Sequence, residues 1–554
     1  MHLLFIVPRF AAPGQFYSYP IGLASVYATV KRHGISVSCL NLCHETSTDT
    51  RALLEREFAK KRPDMICTGG MNAHWKLIDD ILTHARSLDP KIIRVAGGPI
   101  VISDPELALT HLPIDYGFVG EGELALIEFV ETLQRGQNPE SVKGLAFRKA
   151  DGQVVLTAER GEIPNLDALP IPEYEDFGFP QSMRNNKYAQ QCTLLESFDD
   201  VRFVEIVGSR SCPFACTFCY HPLGRKYRQR SLDHIFQEID FLTKTYGVNV
   251  VMFSDELFSI NERRALEFAE RIKPYGIRWF VQYRVTDVRL EVLEKMVDAG
   301  LTVIFLGIES MSDTVLKSMK KKITREQVIK ALEAVRKARL LSASNIILGD
   351  PADTVETIKE SLDWWKQNPV YNVVPGFILA VPDAPIYREA IEKGLITDKL
   401  AHNRNLPLVN LSKLTDAQYY ALVLQVTWWR LIQAYVKAGT MMETRRLDEQ
   451  YCGRRFYELK LRCPFCEKEQ QHKKFLATPG PYVKVTCIHC FASFKIRQNQ
   501  AFPQDYSVVG TAWFLVARMA AAYAMRFSFF RNSFEEIKQK LKEIIRAWSG
   551  FWKK

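Results

Sequence analysis

Residues 1–145 and 203–400 each alternate short apolar runs with amphipathic stretches of helical length, and this alternation constrains the fold more than any other property of the chain. In the first run LLFIVP, SVSCLNL, MICTGG, IIRVAGG and DYGFVGEGE read as strands or strand ends. Segments such as IGLASVYATVKRHG separate them, the last ending on Gly34 as a helix stop. Repeated β-then-α units imply an α/β fold, a parallel sheet with helices on both faces. Ligands of such sheets lie in the crevice outside the strand carboxyl ends. Glycines gather at those ends: Gly69 with Gly70, Gly97 with Gly98, and Gly120 with Gly122. A ligand crevice is the expectation; tight βα turns are the alternative.

The second run gives six strands: RFVEIVGS, VNVVMFSD, RWFVQYR, LTVIFLGIES, SASNIILGD and VVPGFILAVP. Six βα units predict a full or partial parallel barrel with its active site at the strand carboxyl ends. Residues 146–200, containing LDALPIPEYEDFGFP, are expected to be a connector laid over a surface. From 401 to 554 the pattern turns helical and aromatic, with a cysteine-containing insert at 452–496. YSVVGTAWFLVA, ended by Arg518, predicts a buried helix. In the closing segment Phe534, Ile537, Leu541, Ile544, Ile545 and Trp548 recur at helical spacing opposite lysines. That pattern suits either packing on the core or a helix lying on a membrane surface.

The 554 residues suffice for three or four domains. Residues 401–554 carry 25 Lys and Arg against 11 Asp and Glu, a net +14, whereas the remainder carries −4. The basic character therefore belongs to the C-terminal region, as a solvated surface or as a face for an anionic partner. Cysteine spacing is that of metal ligands, not of a disulfide framework, so a reducing, cytoplasmic setting is expected.

Cys212-x3-Cys216-x2-Cys219 follows directly on a strand. Thiolates are soft ligands that select iron–sulfur clusters or zinc. Three cysteines leave one iron of a four-iron cluster without a protein ligand, which is the open position that chemistry needs. With Tyr220 after the last cysteine, CxxxCxxCY resembles the motif of the radical S-adenosylmethionine (SAM) enzymes. The resemblance implies a [4Fe-4S] cluster whose open iron is chelated by SAM, and cleavage of SAM to a 5′-deoxyadenosyl radical. Asp255 and Glu256 in FSDELF, Arg284 in QYR and Glu309 in GIES end strands where related enzymes place polar groups near SAM. Gly349 lies in ILGDPADTVET, which resembles the family's GxPGET turn, with Asp350 before Pro351 and no second glycine. PDAPIY resembles PGTPLY, with Asp383 and Ala384 replacing Gly and Thr.

YPIGLASVYATVKRHG, with Gly22, then GGPIVISDPE and DYGFVGEGE, with Gly120-Glu121-Gly122-Glu123 intact, resemble the doubly wound, Rossmann-like cobalamin-binding domain that precedes many radical SAM barrels. The two-domain resemblance covers roughly residues 1–400. The D-x-H-x-x-G loop of cobalamin domains that ligate cobalt from below is absent: the corresponding PRFAAPGQFYSYP holds no histidine. Cobalamin without a histidine ligand from this position is therefore expected. His44 and His74 are expected to be surface or packing residues, and Cys39, Cys43 and Cys67 buried free thiols.

Cys463-x2-Cys466 and Cys487-x2-Cys490, twenty residues apart, match a zinc ribbon whose four ligands close the coordination sphere. An auxiliary iron–sulfur cluster is the alternative.

The expected function is methyl transfer from methylcobalamin to an unactivated carbon of a small-molecule, lipid or peptide substrate. An external donor such as flavodoxin or ferredoxin is expected to supply electrons. Cyclisation, oxidation or rearrangement with the same cofactors is the near alternative. RNA modification through the basic ribbon is a more distant one, with nucleic acid not expected as a partner.

Overall fold

A computed structural model describes residues 1–12, 15–185, 200–434, 436–451 and 453–527. Strands β1 (His2–Val7), β2 (Ser36–Asn41), β3 (Met65–Gly69), β4 (Ile93–Gly97) and β5 (Tyr116–Phe118) pair in parallel in the order 2-1-3-4-5. The strand order reverses between β1 and β3, which puts a topological switch point and its crevice there. Every residue of β1 is buried, as a strand covered by helices on both faces requires. The helix Ile21–Arg32 turns Ala24, Tyr27 and Val30 inward and is followed by Gly34 at φ +84, the expected helix stop.

The sheet does not end at residue 145. An Asp151-Gly152 turn joins β6 (Leu145–Arg148) to β7 (Val154–Leu156), and this hairpin adds an antiparallel edge to β5.

The central strands are β8 (Phe203–Ile206), a short antiparallel pair β9 (Ser209–Arg210) and β10 (Arg228–Gln229), then β11 (Val250–Phe253), β12 (Arg278–Arg284), β13 (Leu301–Glu309), β14 (Leu341–Leu348) and β15 (Val373–Phe377). Six of them form one parallel sheet in the order 15-14-13-12-11-8. Strands added in simple sequence by right-handed crossovers keep their helices on one face, so the sheet curls into a partial barrel. Its outer face packs Val204, Ile206, Val251, Phe253 and Val281 on helix residues such as Ile235, Leu242 and Phe268. The helices are capped locally: Ser231 accepts from the His234 N–H at 3.1 Å and Gly247, φ +65, ends the same helix. On the inner face Phe203, Val250, Phe280, Val303 and Leu341 pack into an apolar floor.

The connector is not laid over a surface. Tyr174, Phe177 and Phe179 are buried in a core continuous with both domains. Tyr174 donates to Glu238 of the barrel, Tyr27 donates to Asp176, and Asn41 donates to the Phe177 carbonyl at 3.0 Å. The aromatic residues of the Pro-containing stretch act as a staple between the two sheets.

The expected insert at 452–496 is the inner part of a larger β unit that begins at residue 440. It comprises β16 (Thr440–Tyr451), β17 (Arg454–Arg462), β18 (Glu469–Leu476), β19 (Tyr482–Thr486) and β20 (Ser493–Arg497), in an antiparallel three-stranded sheet and a hairpin. Phe491, at φ +57, packs against the barrel floor from below. The first half of the helix Val508–Phe527 is not buried: Val508, Val509, Trp513 and Val516 are 61–70% exposed. Among the described residues no helix is long and apolar enough to cross a membrane. The amphipathic pattern at 533–554 lies outside the described residues.

Replacing Phe491 with Ala removes the plug from the floor. The expected cost is about 2 kcal/mol of stability, read as a lower denaturant midpoint for the barrel.

Candidate functional site

Ion pairs join the segment after β5 to the segment after β8, which brings the carboxyl ends of the two parallel sheets near each other, with the cysteine loop beside them. The loop starts at Gly208, straight after β8. Asp255, at the end of β11, accepts from the Gly208 N–H at 2.6 Å and from the Ser209 hydroxyl at 2.7 Å. Both carboxylate oxygens are thus spent on the loop, so Asp255 positions the cysteines from behind. Burial pushes its carboxyl up to about 6, against the pull of Ser209 and the Gly208 amide.

Cys216 is buried, and Cys212 and Cys219 are half-buried. A hydrogen bond from Cys219 draws the Cys216 thiol below its ordinary range, with Lys321 and Arg284 adding positive charge. Burial works against the Lys321 charge, yet Glu309 and the thiols of Cys216 and Cys219 hold its pKa above the usual lysine value. Lys321 donates to Glu309 at 2.6 Å, and Glu309 itself sits at φ +59. Arg284 lies 3.7 Å over the Phe214 ring and donates to the Lys321 carbonyl. Glu256 pairs with His221 at 3.2 Å.

Four polar atoms around this mouth are buried and lack a partner among the described residues: Thr217 Oγ1, Tyr220 Oη, His221 Nε2 and Asp350 Oδ2. Three of them belong to the cysteine loop. Orphaned groups of this kind mark a place where a bound molecule completes the hydrogen bonding, so the residues fit a cluster with a polar ligand beside it. The turn at Gly349, φ +98, is closed on itself: Asp353 accepts from the Gly349 and Asp350 amides at 2.8 and 3.1 Å. Those two amides are therefore committed to the turn.

On the N-terminal side the glycines divide. A Cβ on Gly69 would meet the Gly97 carbonyl at 2.5 Å, and one on Gly70 would meet His74 at 2.8 Å. Gly98, φ +80, abuts Gly70. These glycines let the β3 and β4 loops touch each other, which is the tight-turn alternative. Gly22 and Gly120, φ +101, face open space, and Gly122 meets only Val26 at 3.3 Å, so room for a ligand survives at the helix Ile21–Arg32 and after β5. His44 bonds Tyr17 and packs on Gly178, and burial pushes it down to about 4. His74 packs 4.4 Å from Phe10 and accepts from the Met71 amide. Cys39, Cys43 and Cys67 are free thiols, raised by burial.

Glu121 is held by protein partners. Its carboxylate pairs with Arg210 at 2.5 Å and Arg228 at 2.7 Å, and accepts from the Ile163 amide. Glu123 pairs with Arg210 at 2.6 Å and accepts from Ser25. Two carboxylates of the N-terminal domain thereby clamp two arginines that bracket the cysteine loop. All four side chains are buried or nearly so.

A model of the radical SAM superfamily matches residues 206–364, and one of the B12 binding domain matches residues 11–130. An uncharacterized methyltransferase from Pyrococcus horikoshii is 30% identical over 357 residues, 63% of this chain and 73% of that one. The chain belongs to the cobalamin-binding radical SAM family. An anaerobic magnesium-protoporphyrin IX monomethyl ester cyclase from Cereibacter sphaeroides is 25% identical over 442 residues, 76% of this chain and 68% of that one. The fold is shared with the radical SAM methyltransferase TsrM from Kitasatospora setae, solved with cobalamin and a [4Fe-4S] cluster. The TM-score is 0.58 at 20% identity, over 71% of this chain and 75% of that one.

Within this cobalamin-binding radical SAM architecture the sequence misses three residues, Arg210, Arg228 and Lys321. Lys321 is the middle of a three-lysine run, which reads as solvated charge. Lys320 and Lys322 both take positive φ, and the resulting tight turn points the middle lysine inward. The two arginines carry no spacing signal; the GEGE segment that grips them was the visible half of the pair.

Far from the mouth, the Sγ atoms of Cys463, Cys466, Cys487 and Cys490 lie within 4.8 Å of one another. The Cys463–Cys490 and Cys466–Cys487 separations are both 3.7 Å. A tetrahedral zinc with bonds of about 2.3 Å spaces its sulfurs roughly 3.8 Å apart, so the geometry fits a single ion.

Because Asp255 rises from 3.8 to about 6 on folding, its contribution to stability is fully present below about pH 4 and lost as pH climbs through about 6. Asp255→Asn is expected to flatten that part of the pH–stability profile of the apoprotein. Glu123→Gln leaves Arg210 underpaired and is expected to cost about 3 kcal/mol. The accompanying signature is faster proteolysis between the two domains.

Proposed function

We propose that this protein is a cobalamin-dependent radical SAM methyltransferase acting on an unactivated carbon of a small-molecule, lipid or peptide substrate. The observation that carries the reading is the clamp of Glu121 and Glu123 on Arg210 and Arg228. It sets the N-terminal crevice against the cysteine loop, so that two cofactors held there would share one chamber. When bound, the cluster with SAM supplies a hydrogen-abstracting radical and cobalamin supplies the methyl group.

Cys212, Cys216 and Cys219 would hold the cluster, with Lys321 and Arg284 offsetting its negative charge. Thr217, Tyr220, His221 and Asp350 carry the polar atoms left for SAM, and Glu309 stands beside them, steadied by Lys321. Gly22, Gly120 and Gly122 leave space for the corrin. The barrel lumen, closed below by its apolar floor, would hold the substrate and keep bulk water from the radical. Cys463, Cys466, Cys487 and Cys490 would hold a structural zinc, whose binding energy supports the small β unit around it. A flavodoxin or ferredoxin is the proposed electron donor and the cytoplasm the proposed setting. Val508, Val509, Trp513 and Val516 would give the helix that bears them a peripheral hold on a membrane.

The relationship to a magnesium-protoporphyrin IX monomethyl ester cyclase favours a second reading, in which the same two cofactors drive ring closure.

The test is anaerobic reconstitution with iron, sulfide and cobalamin, followed by SAM turnover and metal analysis. The parent is expected to release 5′-deoxyadenosine, to bind cobalamin and to retain one zinc. Cys216→Ala is expected to lose SAM cleavage while keeping cobalamin and zinc. A product heavier by one CH2 unit supports methyl transfer, and one lighter by two hydrogens supports ring closure. Failure to bind cobalamin sinks both.

A further inference from the structure

Parity along the barrel strands assigns a second set of residues to the inner face, beyond the apolar floor. Floor residues Phe203, Val250, Phe280, Val303 and Leu341 are followed two positions on by Glu205, Met252, Gln282, Phe305 and Ala343. The register pairs Glu205 with Met252, Gln282 with Phe305, and Phe305 with Ala343. In-register neighbours of a parallel sheet project to the same side.

Met252, Gln282, Phe305 and Ala343 are half-buried, as residues lining a hollow are. Glu205 is 8% exposed and is the one ionisable side chain among these five. Ser18, from the segment that follows β1 in the other domain, is the side chain that bears on its carboxyl, and no cation does so among the described residues. Burial pushes this carboxyl up to about 7. A buried carboxyl without a cation or a full set of donors is costly to keep. Such a group in a chamber wall is retained where a ligand supplies what the protein withholds.

We propose that Glu205, assisted by Ser18, forms a subsite of the barrel chamber that receives a nitrogen-borne N–H donor of the substrate, an ammonium or an amide. The inference rests on the reading of the lumen as the substrate chamber. It narrows the substrate to an amphipathic molecule: an apolar body against Met252 and Phe305, with a nitrogen group directed at Glu205. Ser18 belongs to the domain that would hold cobalamin, so an amide of the corrin rim is the other source of the same N–H.

The test uses the full chain reconstituted with cluster and cobalamin. Its probes are benzylammonium and, as a neutral counterpart, benzyl alcohol, both followed by calorimetry. Cobalamin affinity is followed separately by visible absorption. The parent is expected to prefer benzylammonium by about tenfold. Glu205→Gln is expected to abolish that preference while leaving cluster content and cobalamin affinity unchanged. Glu205→Asp is expected to retain part of the preference, and Ser18→Ala to weaken it.

Equal binding of the two probes by the parent overturns the proposal, as does an undiminished preference in Glu205→Gln. Loss of cobalamin affinity in Glu205→Gln with the amine preference intact assigns the carboxyl to the corrin and overturns the substrate subsite. None of these readouts needs turnover. A product that shows no added methyl counts against methyl transfer alone.

Discussion

Four buried charges hold this molecule in its working arrangement. Glu121 and Glu123 follow β5 in the N-terminal domain, and Arg210 and Arg228 lie on the short β9–β10 pair of the other. Breaking such a group leaves an uncompensated charge in a poorly solvated place, which costs far more than a surface pair does. The network is therefore a weak source of net stability and a strong source of geometry. Arg210 sits two residues before Cys212, and Ser209, one residue earlier still, is fixed by Asp255 from inside the barrel. The start of the cysteine loop is thus positioned from both domains at once. Two carboxylate sites, 255 and 121/123, fix neighbouring residues from opposite sides.

Charge is distributed around the mouth with the same economy. Lys321 and Arg284 stand near the thiols, where negative charge gathers, and Glu309 keeps Lys321 protonated in spite of burial. Below the mouth the inner face of the barrel becomes mixed, and at its base it becomes wholly apolar. Polarity falls with depth, which suits a site that handles ions at its entrance and a carbon radical further in.

The sequence disclosed the parts governed by local rules. Strand and helix alternation follows from periodicity, and the cysteine spacings follow from ligand geometry, so both sheets and both thiol groups were legible. Contacts between distant segments were not. The PIPEYEDFGFP stretch looks like a surface connector because prolines and acids dominate it, yet Tyr174, Phe177 and Phe179 find partners on two sheets at once. Gly69 and Gly98 look like a ligand cradle, yet each lies where two backbones touch, and Gly70 lies against the His74 side chain. The pairing of Glu121 with Arg210 and Arg228 is hidden in the sequence because the partners lie about ninety and a hundred residues away, with nothing to mark them. Val508 and Trp513 looked like core because apolar residues usually are; their exposure was decided by what packs nearby.

The plugged floor has a consequence for traffic. Phe491 closes one end of the barrel, and the facing domain stands across the other. Any molecule that uses the mouth enters a cul-de-sac already shared with whatever the two sheets hold there. Arrivals and departures through that mouth are then stacked, deepest in first and out last. A molecule lodged against the floor would wait for its neighbours at the rim before it could leave, and the sequence of binding would be written into the architecture before any chemistry begins.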